Sequence, residues 1–284
     1  MKRENDKKEL FFGLRLAIPL IFYILATVSP MLVRLFIPVT KAGYISTSIK
    51  LIILCFTMFY LVPFKIGIPS SQKGSKNLRD IGVLPTQNIW KSVLTGLLFG
   101  LTSLFFMLIG SLLSGEFIFQ LSSINPQHVY FSLVPGVFEE VIFRGFLMIV
   151  LIKHFKNIKK AIALQVFLFT LSHVKDISLL GFVDIMTVAV IALAFTYVVL
   201  KTGNLYAAIV FHFIHDAFLF VVQLPESSAQ SIFQQLLFYA SVWIGMLVII
   251  MMSKLLTGEK HKKDQQNIYL KALNSSYKPD IKRS

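Results

Sequence analysis

The sequence has a single cysteine, Cys55, and only 14 acidic residues against 28 basic ones. One cysteine cannot form a disulfide within the chain, so a disulfide-stapled fold is excluded. Two widespread catalytic patterns are also absent: the Gly-x-Ser-x-Gly of serine hydrolases and the His-Glu-x-x-His of soluble zinc proteases. No linker rich in glycine, serine or proline divides the 284 residues, which favours one membrane domain with short tails.

Long apolar runs are abundant instead. Several reach the roughly 17–25 residues with which a helix crosses hydrocarbon. Only helices and closed barrels satisfy every backbone group in lipid, and these continuous runs lack the alternation of barrel strands. We therefore predict an all-α, polytopic membrane protein with about eight transmembrane helices. The runs are Leu10–Ile37, Tyr44–Phe64, Ile89–Leu113, Val129–Ile152, Ile158–Val174, Leu179–Leu200, Asn204–Gln223 and Ser231–Met252. The first is too long for a signal-peptide core and lacks a small-residue cleavage site, so we expect it to remain as a helix.

The net charge of +14 follows the predicted spans rather than forming a nucleic-acid surface. If the spans alternate across the bilayer from a cytoplasmic N-terminus, 22 of the 28 basic residues fall on one face. Such an asymmetry is typical of cytoplasmic loops and predicts a multi-pass cell-membrane protein with both termini in the cytoplasm and no nucleic-acid partner. The basic loops and tail are expected to contact anionic lipid headgroups. Four basic residues are assigned to the opposite face: Arg34, Lys41, Lys50 and Lys175.

Charged side chains also occur inside the runs, where they are costly to bury. Glu140 and Arg144 are four residues apart, so they can form an ion pair on one face of a helix. Glu139 is rotated about 100° from Glu140 on such a helix and can point at a neighbouring one. His212 and Asp216 are likewise four residues apart on one face.

The remaining polar residues of the runs receive less specific interpretations. His173 lies near the end of the fifth run and is a candidate for the same site. His215 is interpreted as a histidine that either supports a neighbouring site residue or simply packs. Asp184, near the start of the sixth run, is interpreted as a carboxylate at headgroup level. Ser172 is not expected to face His173, because adjacent residues on a helix point in different directions.

A glutamate and two histidines converging in a helical bundle suit hydrolysis of an amide bond. The glutamate can take a proton from water as a general base, and a histidine can stabilise the oxyanion that forms. The same three side chains could instead hold a divalent metal that activates the water. From the residues alone, a structural ion-pair cluster and the proton relay of a transporter remain open as well.

Three motifs that follow one another along the chain give the sequence a specific resemblance to a known family. They are Glu139-Glu140-Val141-Ile142-Phe143-Arg144-Gly145 (EExxxRG), Phe169-Thr170-Leu171-Ser172-His173 (FxxxH), and the segment 201–209 leading into His212-Phe213-Ile214-His215-Asp216. With these motifs the chain resembles the CPBP family of intramembrane proteases, which includes CAAX-processing endopeptidases and bacteriocin-processing or immunity proteins of the Abi group. The resemblance covers residues 78–222, the expected protease core. It leaves 1–77 as an N-terminal two-helix region with a cytoplasmic loop, and 223–284 as the last helix with a basic tail.

The resemblance implies a role for each residue of the first two motifs. Glu139 corresponds to the water-activating base, and His173 to the histidine that assists it. Glu140 and Arg144 would orient and support Glu139.

The third motif departs from the family at one position. The resemblance implies that His212 stabilises the oxyanion together with the residue four positions later. That residue is usually asparagine in the family and is Asp216 here. An ionised carboxylate cannot donate to an oxyanion, so Asp216 would be protonated, bind metal or orient His212. Family members are described both as metalloproteases and as glutamate-type proteases; a metal such as zinc would be held by Glu139, His173 and His212.

The family resemblance implies an endopeptidase whose partner is a membrane-proximal or lipid-modified peptide or protein. Two other functions are compatible with the sequence. One is a family member without catalytic activity, which acts by binding as a regulatory protein or as a bacteriocin self-immunity protein. The other is a proton-coupled transporter, against which the lack of evident inverted repeats counts.

Overall fold

The computed structural model describes residues 17, 21, 39–56, 81–83, 89–114, 118–119, 126–174, 178–223 and 232–256. The chain divides into two compact units. Unit 1 comprises Met1–Thr86, Phe138–Gln165 and Gln266–Ser284, and unit 2 comprises Gln87–Val137 and Val166–Gln265. These units are not sequential segments, and the predicted regions 1–77, 78–222 and 223–284 stay a prediction.

The described residues are almost entirely helical, as predicted. The elements are α1 (Val39–Phe56), α2 (Ile89–Leu113), α3 (Pro126–Glu139), a π-helix (Glu140–Leu147), α4 (Met148–Phe155), α5 (Ile158–Leu171), α6 (Leu179–Thr202), α7 (Tyr206–Val221) and α8 (Ile232–Leu256). Because α3, the π-helix and α4 follow one another without a break, seven of the eight predicted runs correspond to helices. The run Leu10–Ile37 lies outside the described residues except for positions 17 and 21, so eight spans stay a prediction. Two strands of two residues each, β1 (Ile118–Phe119) and β2 (Val222–Gln223), pair antiparallel and add a detail that the runs did not predict.

Three of the described helices are long and apolar enough to cross a membrane: α2, α6 and α8. They have 25, 24 and 25 residues, and α7 contains a shorter apolar stretch, Tyr206–Leu219. At a rise of about 1.5 Å per residue, each long helix exceeds the roughly 30 Å of hydrocarbon in a bilayer. These three helices support a membrane location; the orientation of the termini stays a prediction.

Small residues let the helices of unit 2 approach closely. A Cβ on Gly96 of α2 would lie 2.5 Å from the carbonyl oxygen of Ala207 in α7, and a Cβ on Gly245 of α8 would lie 2.7 Å from Phe106 Cβ. Close backbone approach at glycine is the usual way in which membrane helices gain contact area, since lipid offers no hydrophobic driving force between them. In unit 2, α2 therefore packs directly against both α7 and α8.

The tight connection between α6 and α7 orients the third motif. Gly203 ends α6 with φ 74°, in the left-handed region that glycine adopts without steric cost. Asn204 then accepts a hydrogen bond from the backbone N–H of Tyr206 (3.0 Å) at the start of α7 and donates to Ser92 Oγ of α2 (2.7 Å). Asn204 is buried, so both bonds are protected from water. This segment thus fixes where α7 begins, and with it the depth of the histidines that α7 carries.

The first motif of unit 1 does not continue as the α-helix that the sequence analysis assumed. Glu139 is the last residue of α3, and the π-helix begins at Glu140 with all eight of its residues buried. A π-helix bonds each N–H to the fifth preceding carbonyl; it is rare and is found frequently at functional sites. The rotation of about 100° per residue, on which the prediction for the two glutamates rests, therefore holds within α3 but not within the π-helix.

The basic residues assigned to the face opposite the cytoplasm are not all loop residues. Lys50 lies within α1, and only 17% of its side chain is exposed. Its ammonium group therefore does not belong to the count of loop charges from which the membrane orientation is predicted. Lys41 also lies within α1, whereas Arg34 and Lys175 are outside the described residues.

Candidate active site

A cavity of about 230 Å³ lies within unit 2 and is lined by residues from α2, α5, α6, α7 and α8, with His173 just after α5. Three predicted site residues line it: His173, His212 and Asp216. Most of the remaining wall is apolar, including Phe169, Phe195 and Val242. An apolar cavity with a few convergent polar groups is the typical form of a ligand or substrate site.

His212 is held in place by a carboxylate and an aromatic ring. Its Nε2 lies 3.5 Å from Asp216 Oδ2, as the i,i+4 spacing predicted. The imidazole stacks on the ring of Phe195 with the centroids 4.6 Å apart and the planes 22° from parallel. α3 also passes close to the ring, since a Cβ added to its Gly136 would lie 3.6 Å from His212 Cγ. The contacts with Asp216 and Phe195 restrict the rotation of the His212 side chain, which is 5% exposed.

His173 lies in the turn that follows α5, and its ring nitrogen Nδ1 contacts two neighbouring residues. Nδ1 is 2.9 Å from the carbonyl oxygen of Phe169, and the two rings lie 4.5 Å apart. A carbonyl oxygen can only accept, so this bond assigns the proton of a neutral imidazole to Nδ1. Nε2 is then the nitrogen of His173 that can accept a proton.

The prediction that Ser172 would not face His173 is wrong. Ser172 Oγ lies 3.2 Å from His173 Nδ1. The reason is local: α5 ends at Leu171, so the two residues occupy a turn and not a helix. The serine hydroxyl donates to the carbonyl of Phe169, so this contact reinforces the same ring orientation.

His215, expected to support a site residue or to pack, lines the cavity as well. Its Nδ1 lies 3.0 Å from Ser103 Oγ of α2, and its ring meets that of Phe195 edge to face at 6.3 Å. These contacts agree with packing, and the position also gives His215 access to whatever occupies the cavity. Sequence spacing alone does not separate these two roles.

Sequence reasoning missed Asp184 and Thr187, which both line the cavity from α6. Asp184 was discounted because it lies near the start of its run, yet the cavity reaches that end of α6. Thr187 accepts a hydrogen bond from Trp243 Nε1 of α8 at 2.8 Å. The spacing of three residues between them, which puts both on one face of a helix, is the signal that could have identified them as a pair.

The residues of the first motif belong to unit 1. Arg144 Nη1 donates to Glu140 Oε1 at 3.0 Å, and both side chains are fully buried, which confirms the predicted i,i+4 pair. Glu139 has a different cation beside it: its Oε1 lies 3.9 Å from Lys50 Nζ. The two glutamates thus have different cations beside them; Arg144 was predicted from the sequence, and Lys50 was not.

The structure therefore brings His173, His212 and Asp216 together in one cavity of unit 2, and Glu140 and Arg144 together in unit 1. Among the residues that the structure describes, no group of three or more His, Cys, Asp or Glu side chains is arranged to hold a metal ion. The catalytic roles themselves stay predictions.

Comparison with known proteins bears on the family. No curated protein and no solved structure gives a significant match. Residues 121–218 match the family model described as type II CAAX prenyl endopeptidase Rce1-like, and all three motifs lie inside this segment. This match supports a membrane-bound peptidase of CAAX type acting on a membrane-associated peptide. It confirms the resemblance that the motifs predicted: the segment 121–218 is similar to the Rce1-like family of type II CAAX prenyl endopeptidases.

Proposed function

We propose that this protein is an intramembrane endopeptidase that hydrolyses a membrane-proximal or lipid-modified peptide by means of a water molecule activated by glutamate and histidine. One observation carries the proposal: a mostly apolar cavity among membrane-type helices gathers His173, His212 and Asp216, which come from two of the three family motifs. The cavity walls suit an apolar peptide segment, and the polar groups suit an amide bond.

The reaction begins with attack of the water oxygen on the carbonyl carbon of the scissile amide. Glu139, carried over from the first motif, takes the proton of the water, and His173 assists by accepting a hydrogen bond at Nε2. The carbon–oxygen double bond becomes a single bond, which places a negative charge on the former carbonyl oxygen. Collapse of this intermediate breaks the carbon–nitrogen bond, and the amine leaves with the proton that Glu139 had taken up. The products are a carboxylic acid and an amine, which become a carboxylate and an ammonium ion when the proton of the acid passes to the amine.

Asp216 has the role of a partner for His212 in this proposal. An imidazolium carries an N–H on each ring nitrogen, so His212 can give one to Asp216 and the other to the oxyanion. The separation of 3.5 Å between Nε2 and Oδ2 supports this role, because the carboxylate that replaces the usual amide then acts through the histidine. No donation from Asp216 to the oxyanion is needed.

One observation supports a mechanism that uses side chains alone: the ammonium group of Lys50 lies 3.9 Å from Glu139 Oε1. A fixed cation at that distance disfavours a divalent cation on the same carboxylate. If a zinc ion were bound by Glu139, His173 and His212, it would supply a polarised water, and activity would be lost on chelation.

The test uses protein reconstituted into lipid vesicles with a panel of prenylated and unprenylated peptides, whose products are identified by mass spectrometry. We expect cleavage by the wild type, and a loss of at least about 100-fold in kcat for E139Q and H212A. H154A is the matched control, because His154 is an exposed histidine at the end of α4. Full cleavage by folded E139Q or H212A would refute the mechanism.

The same preparations test the other predicted functions. A host immunity phenotype that persists in E139Q and H212A would favour a binding protein of the Abi type over a protease. A proton flux across the vesicles that is lost in E139Q would favour a transporter. Unchanged cleavage after dialysis against a chelator is expected for the glutamate-type mechanism, and lost cleavage that zinc restores would contradict it.

A further inference from the structure

Lys50 is the least expected charged residue of unit 1. It lies within α1 between apolar neighbours, in the stretch Ile49-Lys50-Leu51-Ile52-Ile53. Its ammonium nitrogen lies 3.9 Å from Glu139 Oε1, with 17% of the lysine side chain and 8% of the glutamate side chain exposed. A largely buried ammonium group needs a compensating anion, and Glu139 is the anion beside it.

The two cations next to the paired glutamates make different kinds of contact. Arg144 donates a hydrogen bond of 3.0 Å to Glu140, within the range of charge-assisted bonds. At 3.9 Å, Lys50 is too far from Glu139 for a hydrogen bond but close enough for strong electrostatic attraction. The attraction holds the Glu139 carboxylate in position, but Lys50 donates no hydrogen bond to the Oε1 oxygen that faces it. An opposite charge at this distance favours the ionised form of the carboxylate, and only that form can take a proton from water.

We propose that Lys50 is a positioning residue for the reaction, which holds the Glu139 carboxylate in its working orientation and balances its buried charge. This inference rests on the proposed function, in which Glu139 is the base. It adds a residue outside the three motifs, from a helix that precedes the matched segment 121–218. It also gives a reason why α1 carries a lysine at a position where an apolar residue would be cheaper to bury.

The experiment compares K50M and K50R with the wild type in the vesicle assay. Methionine keeps the length and apolar stem of lysine but lacks its charge, and arginine restores the charge. We expect K50M to lower kcat by about 10- to 100-fold with KM changed less than about twofold, since Lys50 acts on the base and not on substrate binding. K50R should recover kcat to within about fivefold of the wild type. K159M is the matched control, because it removes one exposed lysine at the start of α5, and its kcat should equal that of the wild type.

The outcomes separate this inference from the proposed function. An inactive E139Q together with a fully active K50M would overturn the role of Lys50 and leave the role of Glu139 standing. A fully active E139Q would overturn the proposed function itself. Equal losses of kcat in K50M and K50R, with wild-type unfolding temperatures, would also overturn the inference, because charge would then not be the cause. If K50M fails to fold, K50Q takes its place: a lowered kcat with unchanged KM supports the inference, and an unchanged kcat overturns it.

Discussion

Replacing Arg144 with methionine is expected to destabilise the protein severely, because Arg144 and Glu140 are both fully buried and are joined by a hydrogen bond of 3.0 Å. Loss of one partner leaves the other charge in the interior without its counter-ion, which typically costs about 3–5 kcal/mol in the free energy of unfolding. Replacement of both partners by apolar residues of similar volume is typically neutral or stabilising, so E140M/R144M should lie within roughly 1 kcal/mol of the wild type. R144M alone is thus expected to be strongly destabilising, and the same substitution combined with E140M is expected to be nearly neutral.

The assay is reversible unfolding in detergent micelles, followed by tryptophan fluorescence, for which the chain offers two tryptophans. K159M serves as the control, since the loss of one exposed charge should change the free energy of unfolding by no more than about 0.5 kcal/mol. An R144M variant as stable as the wild type would refute the reasoning. So would a double variant no more stable than R144M, because the loss would then come from packing and not from the stranded carboxylate.

Three further changes test the site and the packing around it. D216N should lower kcat by roughly 10- to 100-fold, because an amide does not hold the proton on His212 as a carboxylate does; a rise in kcat would instead favour a direct amide contact with the oxyanion. G96A should lower the free energy of unfolding by about 1–3 kcal/mol, because the new methyl group would lie 2.5 Å from a backbone carbonyl oxygen of the facing helix. G136A, with its nearest contact at 3.6 Å, is the control and should be tolerated. Equal losses of stability in both variants would contradict the role of close packing. N204A should cost about 1–3 kcal/mol, since it removes the cap of α7 and a buried bond to α2; urea or detergent titration would show this, and an unchanged midpoint would count against it.

The helices follow from the sequence because lipid leaves the chain little choice. The run Ile89–Leu113 coincides with α2, and the run that begins at Leu179 coincides with the start of α6. Hydropathy gives these bounds directly, since each apolar residue contributes to the same signal. It does not give the start of α1 at Val39, five residues before the predicted run, because Thr40, Lys41 and Gly43 interrupt the apolar signal there.

The paired residues also follow from the sequence, because helical spacing is periodic. Both i,i+4 pairs, Glu140 with Arg144 and His212 with Asp216, are within ion-pair distance. Periodicity fails where the helix changes type: the π-helix at Glu140 depends on how the surrounding side chains pack, which no local pattern encodes.

Contacts between helices were the least predictable part of the site. Lys50 and Glu139 are 89 positions apart in the sequence, and no rule of spacing links residues on different helices. Asp184 was placed at headgroup level by its position in the run, but the cavity extends to it. Burial and partner are properties of the packed bundle, so residues of this kind become visible only when the helices are assembled.

The unequal lengths of the helices around the cavity have a consequence for the bilayer. α2 and α8 have 25 residues each, so they are about 38 Å long, whereas α7, with 16 residues, is only about 24 Å long. A helix shorter than the roughly 30 Å hydrocarbon thickness draws the headgroups inward or is sheltered by longer neighbours. If α7 crosses the bilayer, thinning of the hydrocarbon around it would bring the aqueous phase nearer to His212 and Asp216. Lipids with shorter acyl chains would then relieve the mismatch at α7 and ease the access of water to the cavity, and longer ones would oppose it.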